Sequence, residues 1–292
     1  MFLMRVIPNC SPILAELEHC LFSCFLPALF GVEVSVAERQ LFTLPVHMGG
    51  LGLSNPVAVS NHYFESSVSS SALLRESILG AVTFELGAYF DSVQSSKSMF
   101  GKLKSDYFSG VFNSLIGNFA AAQQRAILRA RECASSWLSV LPLRSHHYDL
   151  SAQEFRDALA LRYRKPLLNL PPVCDGCGSL FRVEHALDCR VGGLVCQRHN
   201  EVRDAICDLA SLAWGQVQKE PVVCEEKMDD PSSETLIADV RIRGVWQSQV
   251  DALFDVRVVD TDAPSYQSRS PQAVLRTAEV EKRRKWFIWL RG

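Results

Sequence analysis

The chain is expected to be mostly helical and to change class towards its C-terminus, α followed by α/β. Three observations carry this. Residues up to about 165 read as successive helices with capping signals and glycine or proline stops. A compact Cys/His stretch, Cys174 to Cys189, then interrupts the pattern. After it, TLIADVRIRG and DALFDVRVVD alternate apolar and polar residues and read as strands between helices. At 292 residues, 48% apolar and 21% charged, the chain is globular rather than disordered. Its length suits about two domains. A net charge of −2 argues against a wholly basic nucleic-acid binder and leaves room for a local basic patch.

In chain order, Ser11 and Pro12 mark a helix start, Glu16 and Glu18 follow, and Gly31 ends the helix after about Leu29. Ser35 caps a short second helix, VAERQLFTL. Gly49, Gly50 and Gly52 in LPVHMGGLGLSNP suit a tight structural turn with close backbone approach. GGLG matches neither standard nucleotide fingerprint. Asn55 to about Leu79 gives one or two helices, and Thr83 to Ile116 carries little signal. Asn118 to Leu138 reads as one amphipathic helix, with Arg125, Arg129 and Arg131 on a solvated face. Pro142 to Asp149 is a break, and no chemistry is assigned to its His146 and His147. Ser151 and Glu154 form a capping box, Pro166 stops the helix they start, and KPLLNLPPV is a connector. A domain boundary is therefore expected near 166–172. Val202 to Trp214 continues a helix beyond the Cys/His stretch. Gln216–Cys224 is a strand with Pro221 at an edge or bulge. EEKMDDPSSE is a polar hairpin loop, and Gln272 to Trp289 is a helix.

No run of eighteen uncharged apolar residues occurs, so no membrane span is expected. CLFSCFLPALFGV contains Pro27 and reads as a buried helix end. MFLMRVIP is too short for a secretory apolar region. Ten cysteines, several at metal-ligand spacing, point to a reducing compartment, nuclear or cytoplasmic and not secreted.

The stretch CDGCGSLFRVEHALDC has the spacing C-x2-C-x7-H-x3-C. Cys174, Cys177, His185 and Cys189 are three thiolates and an imidazole, a set that closes a tetrahedral structural zinc site. Gly176 is expected to let the backbone turn between the first two thiols. EHALDC reads as a helical turn that puts His185 and Cys189 on one face. Phe181 and Val183 can cover the metal. Cys196 and His199 follow closely, and either can substitute for a ligand. They rank second, because the residues after them already read as a helix.

A second constellation lies in the strands. Asp239 sits in one and Asp255 in the next, each among apolar strand residues, where an unpaired carboxylate is expensive. Paired through a hairpin at GVWQSQ, the two would converge on one side of a three-stranded sheet. Two converging carboxylates are what a divalent cation such as Mg²⁺ needs for phosphodiester hydrolysis. Lys282 and Lys285 from the last helix would steady the developing charge. The plainer reading is salt bridging to Arg241, Arg243 or Arg257.

These stretches together resemble a known family. LPVHMGGLGLSNP, with the helix before it, looks like the end of the thumb region of reverse transcriptases from retrotransposons that lack long terminal repeats. The Cys/His stretch, GGLVCQRHNEVRDAI, IADVRIRGVW, LFDVRVVD and EKRRKW resemble the C-terminal part of the subgroup carrying a restriction-like endonuclease. The resemblance implies a thumb-like end over 1–60, a helical linker over 61–168, a zinc knuckle over 169–196 and a PD-(D/E)XK-like nuclease core over 197–292. That core would nick target DNA, with element RNA as a further partner. Asp239 matches the aspartate of the PD motif, with Ala238 in place of proline. Asp255 matches the acid of the D/E-x-K motif, with Arg257 in place of lysine. Arginine cannot readily lose a proton, so the family's variant, a lysine from the following helix, selects Lys282 or Lys285. Glu201 would be an additional acid beside the metal. No catalytic aspartate pair of a polymerase palm occurs, so no polymerase activity is expected. The resemblance further implies a remnant whose nuclease core stops early, at Gly292. The alternative is a zinc-containing remnant without catalysis that binds nucleic acid or protein.

Overall fold

The computed structural model describes residues 2–131, 137–146, 148–191, 193–224 and 235–289, with 146 and 285–289 as backbone alone. The chain divides into two units, Met1–Leu168 and Asn169–Gly292, the division falling in the proline-rich connector.

The first unit is helical. α1 (Phe2–Val6) precedes α2 (Ser11–Cys20) and α3 (Leu26–Phe30), the last two joined through a π-helical stretch, Leu21–Phe25. Pro27, just beyond it, lacks the N–H that an α-helical ladder needs there. Gly31, at φ 69°, caps α3 in the left-handed region. Ser11–Phe30 as a whole is a 20-residue helix of mean hydropathy 1.5, long and apolar enough to cross a membrane. It is so by length and composition only, whereas the expectation of no span rested on uncharged runs. Glu16, Glu18 and His19 interrupt the run while leaving the average high. Leu26 and Phe30 at its end are buried in the core.

α4 (Val36–Thr43) starts at the expected capping box, Ser35 with Glu38. Its Arg39 is buried and holds both oxygens of Glu18, at 2.8 and 2.7 Å, and the Leu53 carbonyl at 2.7 Å. The glycine turn therefore closes on α4 as a structural device. Leu51 and Leu53 both donate to the Phe42 carbonyl, and a Cβ on Gly50 would lie 1.9 Å from the Leu44 oxygen.

α5 (Pro56–Ser70), capped by the Asn55 side chain, and α6 (Ala72–Ile78) fill the region read as one or two helices. α7 (Leu86–Leu115) is a thirty-residue helix where the sequence carried little signal. Only Phe112 and Leu115 in it are buried, so packing imposed almost no periodicity. α8 (Ala121–Ala130) is shorter than the expected 118–138 helix, and residues 132–136 lie outside the described ones. α9 (Ala152–Tyr163) begins at the Ser151/Glu154 capping box and ends at Arg164, φ 53°, ahead of Pro166. In the core, Phe30 stacks on Phe42 at 5.1 Å and Tyr163 meets Phe42 edge-on at 4.9 Å, among Leu26, Leu41, Leu44 and Leu159.

In the second unit, α10 (Val183–Asp188) and α11 (Leu194–Ala213) lead into β1 (Val217–Lys219), β2 (Val222–Cys224), β3 (Leu236–Ile237), β4 (Val240–Arg243) and β5 (Asp251–Phe254). α12 (Pro271–Trp289) follows. Among the described residues the expected three strands are thus five short ones, in a three-stranded antiparallel sheet ordered β1-β4-β5 and a two-stranded sheet β2-β3. The break falls where Glu220 takes φ 49° and Pro221 has no N–H to give. Register survives it: Val217 faces Ile242 and Val222 faces Ile237. Glu220 N–H to the Asp239 carbonyl, at 2.9 Å, and Ala238 N–H to the Pro221 carbonyl, at 3.1 Å, bridge the gap. The expected hairpin at GVWQSQ, residues 244–249, joins β4 to β5. The polar loop expected over 225–234 lies outside the described residues. Ala210 of α11 packs on Val240 and Ile242, with Ile206, Trp214 and Phe254 around them.

Candidate metal centre and acidic cleft

Val173 bridges to Leu180, and the Cys174 N–H meets the Ser179 carbonyl at 2.8 Å, closing a tight turn around Cys174–Gly178. The left-handed residue of this turn is Gly178, φ 70°, and not Gly176 as expected. Two residues after Phe181, α10 begins, and Cys189 follows its last turn with its N–H on the His185 carbonyl at 2.8 Å. Turn and helix bring Cys174, Cys177, His185 and Cys189 together, every donor atom within 4.8 Å of the others, as a set able to hold one metal ion. The Cys174 and Cys189 sulfurs lie 3.8 Å apart, and the Cys177 sulfur lies 3.2 Å from His185 Nε2. The Phe181 ring meets His185 edge-on at 6.2 Å.

The hydroxyl and backbone N–H of Ser179 hold the Cys177 thiol down to about 6. The backbone N–H groups of Cys177 and Gly176 lower Cys174 too, but burial and the thiols of Cys189 and Cys177 outweigh them and its pKa rises. Cys196 and His199, the alternative ligands, stand outside this cluster. Both belong to α11 and line a different feature.

That feature is an open cleft of about 350 Å³ between the start of α11, the chain leaving β5, and α12. Asp239 occupies the break between β3 and β4 rather than the middle of a strand, and Asp255 follows β5 directly. The β4–β5 pairing therefore puts both at the same end of one ladder. Asp239 Oδ2 accepts from the Val256 N–H, extending the ladder with a side chain, and Oδ1 lies 3.1 Å from His199 Nε2. Lys282 of α12 reaches Asp255, its Nζ 2.8 and 2.7 Å from the two oxygens. His199 and Lys282 line the same cleft.

The other sequence-selected residues divide. Glu201 is exposed and takes a hydrogen bond from Gln197 at 2.9 Å, away from the acidic pair. Two residues along a helix turn the side chain about 200° from His199, which is why it misses. Lys285 lies in α12, but its side chain is outside the described residues. Arg257 pairs with Glu281 at 2.7 Å and Arg241 with Asp251 at 3.8 Å. Buried Arg203 has its pKa raised by its hydrogen bond to Asp204, with the charges of Glu220 and Asp239 adding. His199 is the member of the acidic site that sequence reasoning missed. Its partner is forty residues away, and only the packing of α11 over β4 brings them together.

No protein-family model, no curated protein and no solved structure matches this chain.

Proposed function

We propose that the second unit is a zinc-stabilised, metal-dependent DNA endonuclease domain of the restriction-like, PD-(D/E)XK kind, derived from a retrotransposon protein. The observation that carries the reading is the acidic pair. Asp239 and Asp255 stand at one end of the β4–β5 ladder, and their partners His199 and Lys282 line one open cleft.

Zinc is the ion that suits the Cys/His set. Tetrahedral ligands at about 2.3 Å from zinc are separated by about 3.8 Å, close to the Cys174–Cys189 sulfur separation of 3.8 Å. The metal centre also steadies the cleft, because Arg198 of α11 donates to the Leu187 carbonyl of α10 at 2.9 Å.

Asp239 and Asp255 suit Mg²⁺, which takes one or two carboxylates and leaves its other positions to water and phosphate. Bound there, it would supply a Lewis acid and an activated water for phosphodiester hydrolysis. Lys282 stabilises negative charge developing on the phosphate. His199 and the Val256 N–H fix the Asp239 carboxylate in one orientation. The test is nicking of supercoiled plasmid by the full chain. Nicked circles should accumulate with Mg²⁺ and not without it, and intact plasmid at every Mg²⁺ concentration would rule out the catalytic reading.

A second reading, a zinc-containing DNA-binding remnant without catalysis, is favoured by one observation. Lys282 pairs with Asp255, and Asp239 is held by the Val256 N–H and by His199 Nε2, so each carboxylate has protein partners.

A further inference from the structure

We infer that Arg203 and Glu220 are positioning residues that hold Asp239 in place beside the cleft. The inference deepens the reading of Asp239 as a cation ligand, and it rests on that reading for its consequence but not for its geometry. Asp239 lies in the break between β3 and β4. Its backbone is held from two sides there. Its N–H donates to the Phe254 carbonyl at 3.1 Å, and its own carbonyl accepts from the Glu220 N–H at 2.9 Å. Whatever fixes Glu220 therefore fixes one side of Asp239.

Glu220 makes that bond in a costly conformation. Its φ is 49°, in the left-handed region that a side chain with a Cβ adopts under strain. Among the described residues Asn9, Arg164 and Gln249 share it, in a turn, after a helix and in a hairpin, and only Glu220 takes it between two strands. Arg203 is placed to hold it. Arg203 is 5% exposed, and its Nη1 donates to the Glu220 carboxylate. Its Nε donates to Asp204 at 2.8 Å, and Asp204 accepts from Lys219 of β1 at 2.6 Å. The planar guanidinium is thus locked between two carboxylates, and α11 is tied to the strand that carries Glu220. Arg203 also follows His199 by one helical turn, so one face of α11 grips the break twice. His199 Nε2 meets the Asp239 carboxylate at 3.1 Å, while Arg203 holds the residue bonded to the Asp239 carbonyl. Partners that orient a ligand from behind in this way set how well it takes a cation.

The test follows the His199 imidazole in the full, zinc-loaded chain labelled with ¹⁵N-histidine, at fixed neutral pH. Its resonance is assigned by its loss in His199→Gln, and Asp239→Asn gives the shift that marks a lost contact. Glu220→Gly and Arg203→Gln should each move the resonance part of the way to that mark, and Arg203→Lys should move it less than Arg203→Gln. Glu220→Gly should melt close to the wild type, because glycine takes φ 49° without strain. It therefore decides the matter should Arg203→Gln not fold. Titration with Mn²⁺, a paramagnetic stand-in for Mg²⁺, then broadens the same resonance. Both variants should need about 10–100-fold more Mn²⁺ than the wild type, the usual cost of losing a partner behind a metal ligand. A lower melting temperature with the His199 resonance unmoved would make the pair a brace for folding alone and overturn the inference. An unmoved resonance in folded Glu220→Gly, with Mn²⁺ bound as by the wild type, would also overturn it and leave the nuclease reading standing. A resonance that moves in both variants, in a chain whose wild type takes no Mn²⁺, would support the positioning of Asp239 and sink the cation reading alone.

Discussion

Single residues show how far chemistry and architecture are shared in this chain. Buried Arg39 is saturated by Glu18 and by the carbonyl of Leu53, which ties α2, α4 and the glycine turn together. Arg39→Ala leaves Glu18 without its cation in a site that is 17% exposed. It should cost about 3–5 kcal/mol, read as a lower urea midpoint with the slope unchanged. Gly50 is a steric case: a Cβ 1.9 Å from the Leu44 oxygen cannot be placed without moving backbone. Gly50→Ala should destabilise the first unit by about 1–3 kcal/mol or more, whereas Gly52, at φ 69° with nothing near its Cβ position, should lose less on the same change. At the metal centre, native mass spectrometry should find one zinc per chain. Cys189→Ser should lose it and unfold the local region, since structural zinc contributes on the order of 10 kcal/mol to small sites. Cys20→Ser, an exposed thiol on α2, should keep it. Full zinc content in Cys189→Ser would dismiss the four-ligand set.

Among the elements, those legible in the sequence are the ones whose signal is local. Two capping boxes, at Ser35 and Ser151, mark two helix starts because their hydrogen bonds span only three residues. The Cys/His spacing was legible for the same reason, and the structure adds only that Gly178 is the residue that turns. α7 was not legible, since a helix that buries little of its surface needs no apolar stripe, and Gly87, Gly101 and Gly110 dilute what pattern it has. The strands were found but not their break. Pro221 signalled it in one strand, while the matching break at Ala238–Asp239 is imposed from across the ladder. Period-two reasoning brought Asp239 and Asp255 to one end of a hairpin. It could not supply His199, which arrives from a helix, nor exclude Glu201, whose helical phase is set by how α11 packs on β4.

For the whole molecule, two units carry separate cores, one around Phe30, Phe42 and Tyr163 and the other around Ala210, Val240 and Ile242. Chelation should therefore lower one calorimetric transition and leave the other in place. A single transition shifted as one would contradict that independence. The functional account depends on the second unit, where Arg198 ties α11 to α10 of the Cys/His cluster and α11 supplies one wall of the cleft beside the two aspartates. Its central claim is that Asp255 acts on the scissile phosphate's cation and not in folding. The direct measurement is cleavage and binding of one labelled DNA duplex, compared between wild type and Asp255→Asn in Mg²⁺. The account predicts cleavage by the wild type, a loss of about 100-fold or more in the variant, and binding that is unchanged or tighter, because a negative charge facing phosphate is removed. Equal cleavage by both proteins, or none by the wild type, would contradict it.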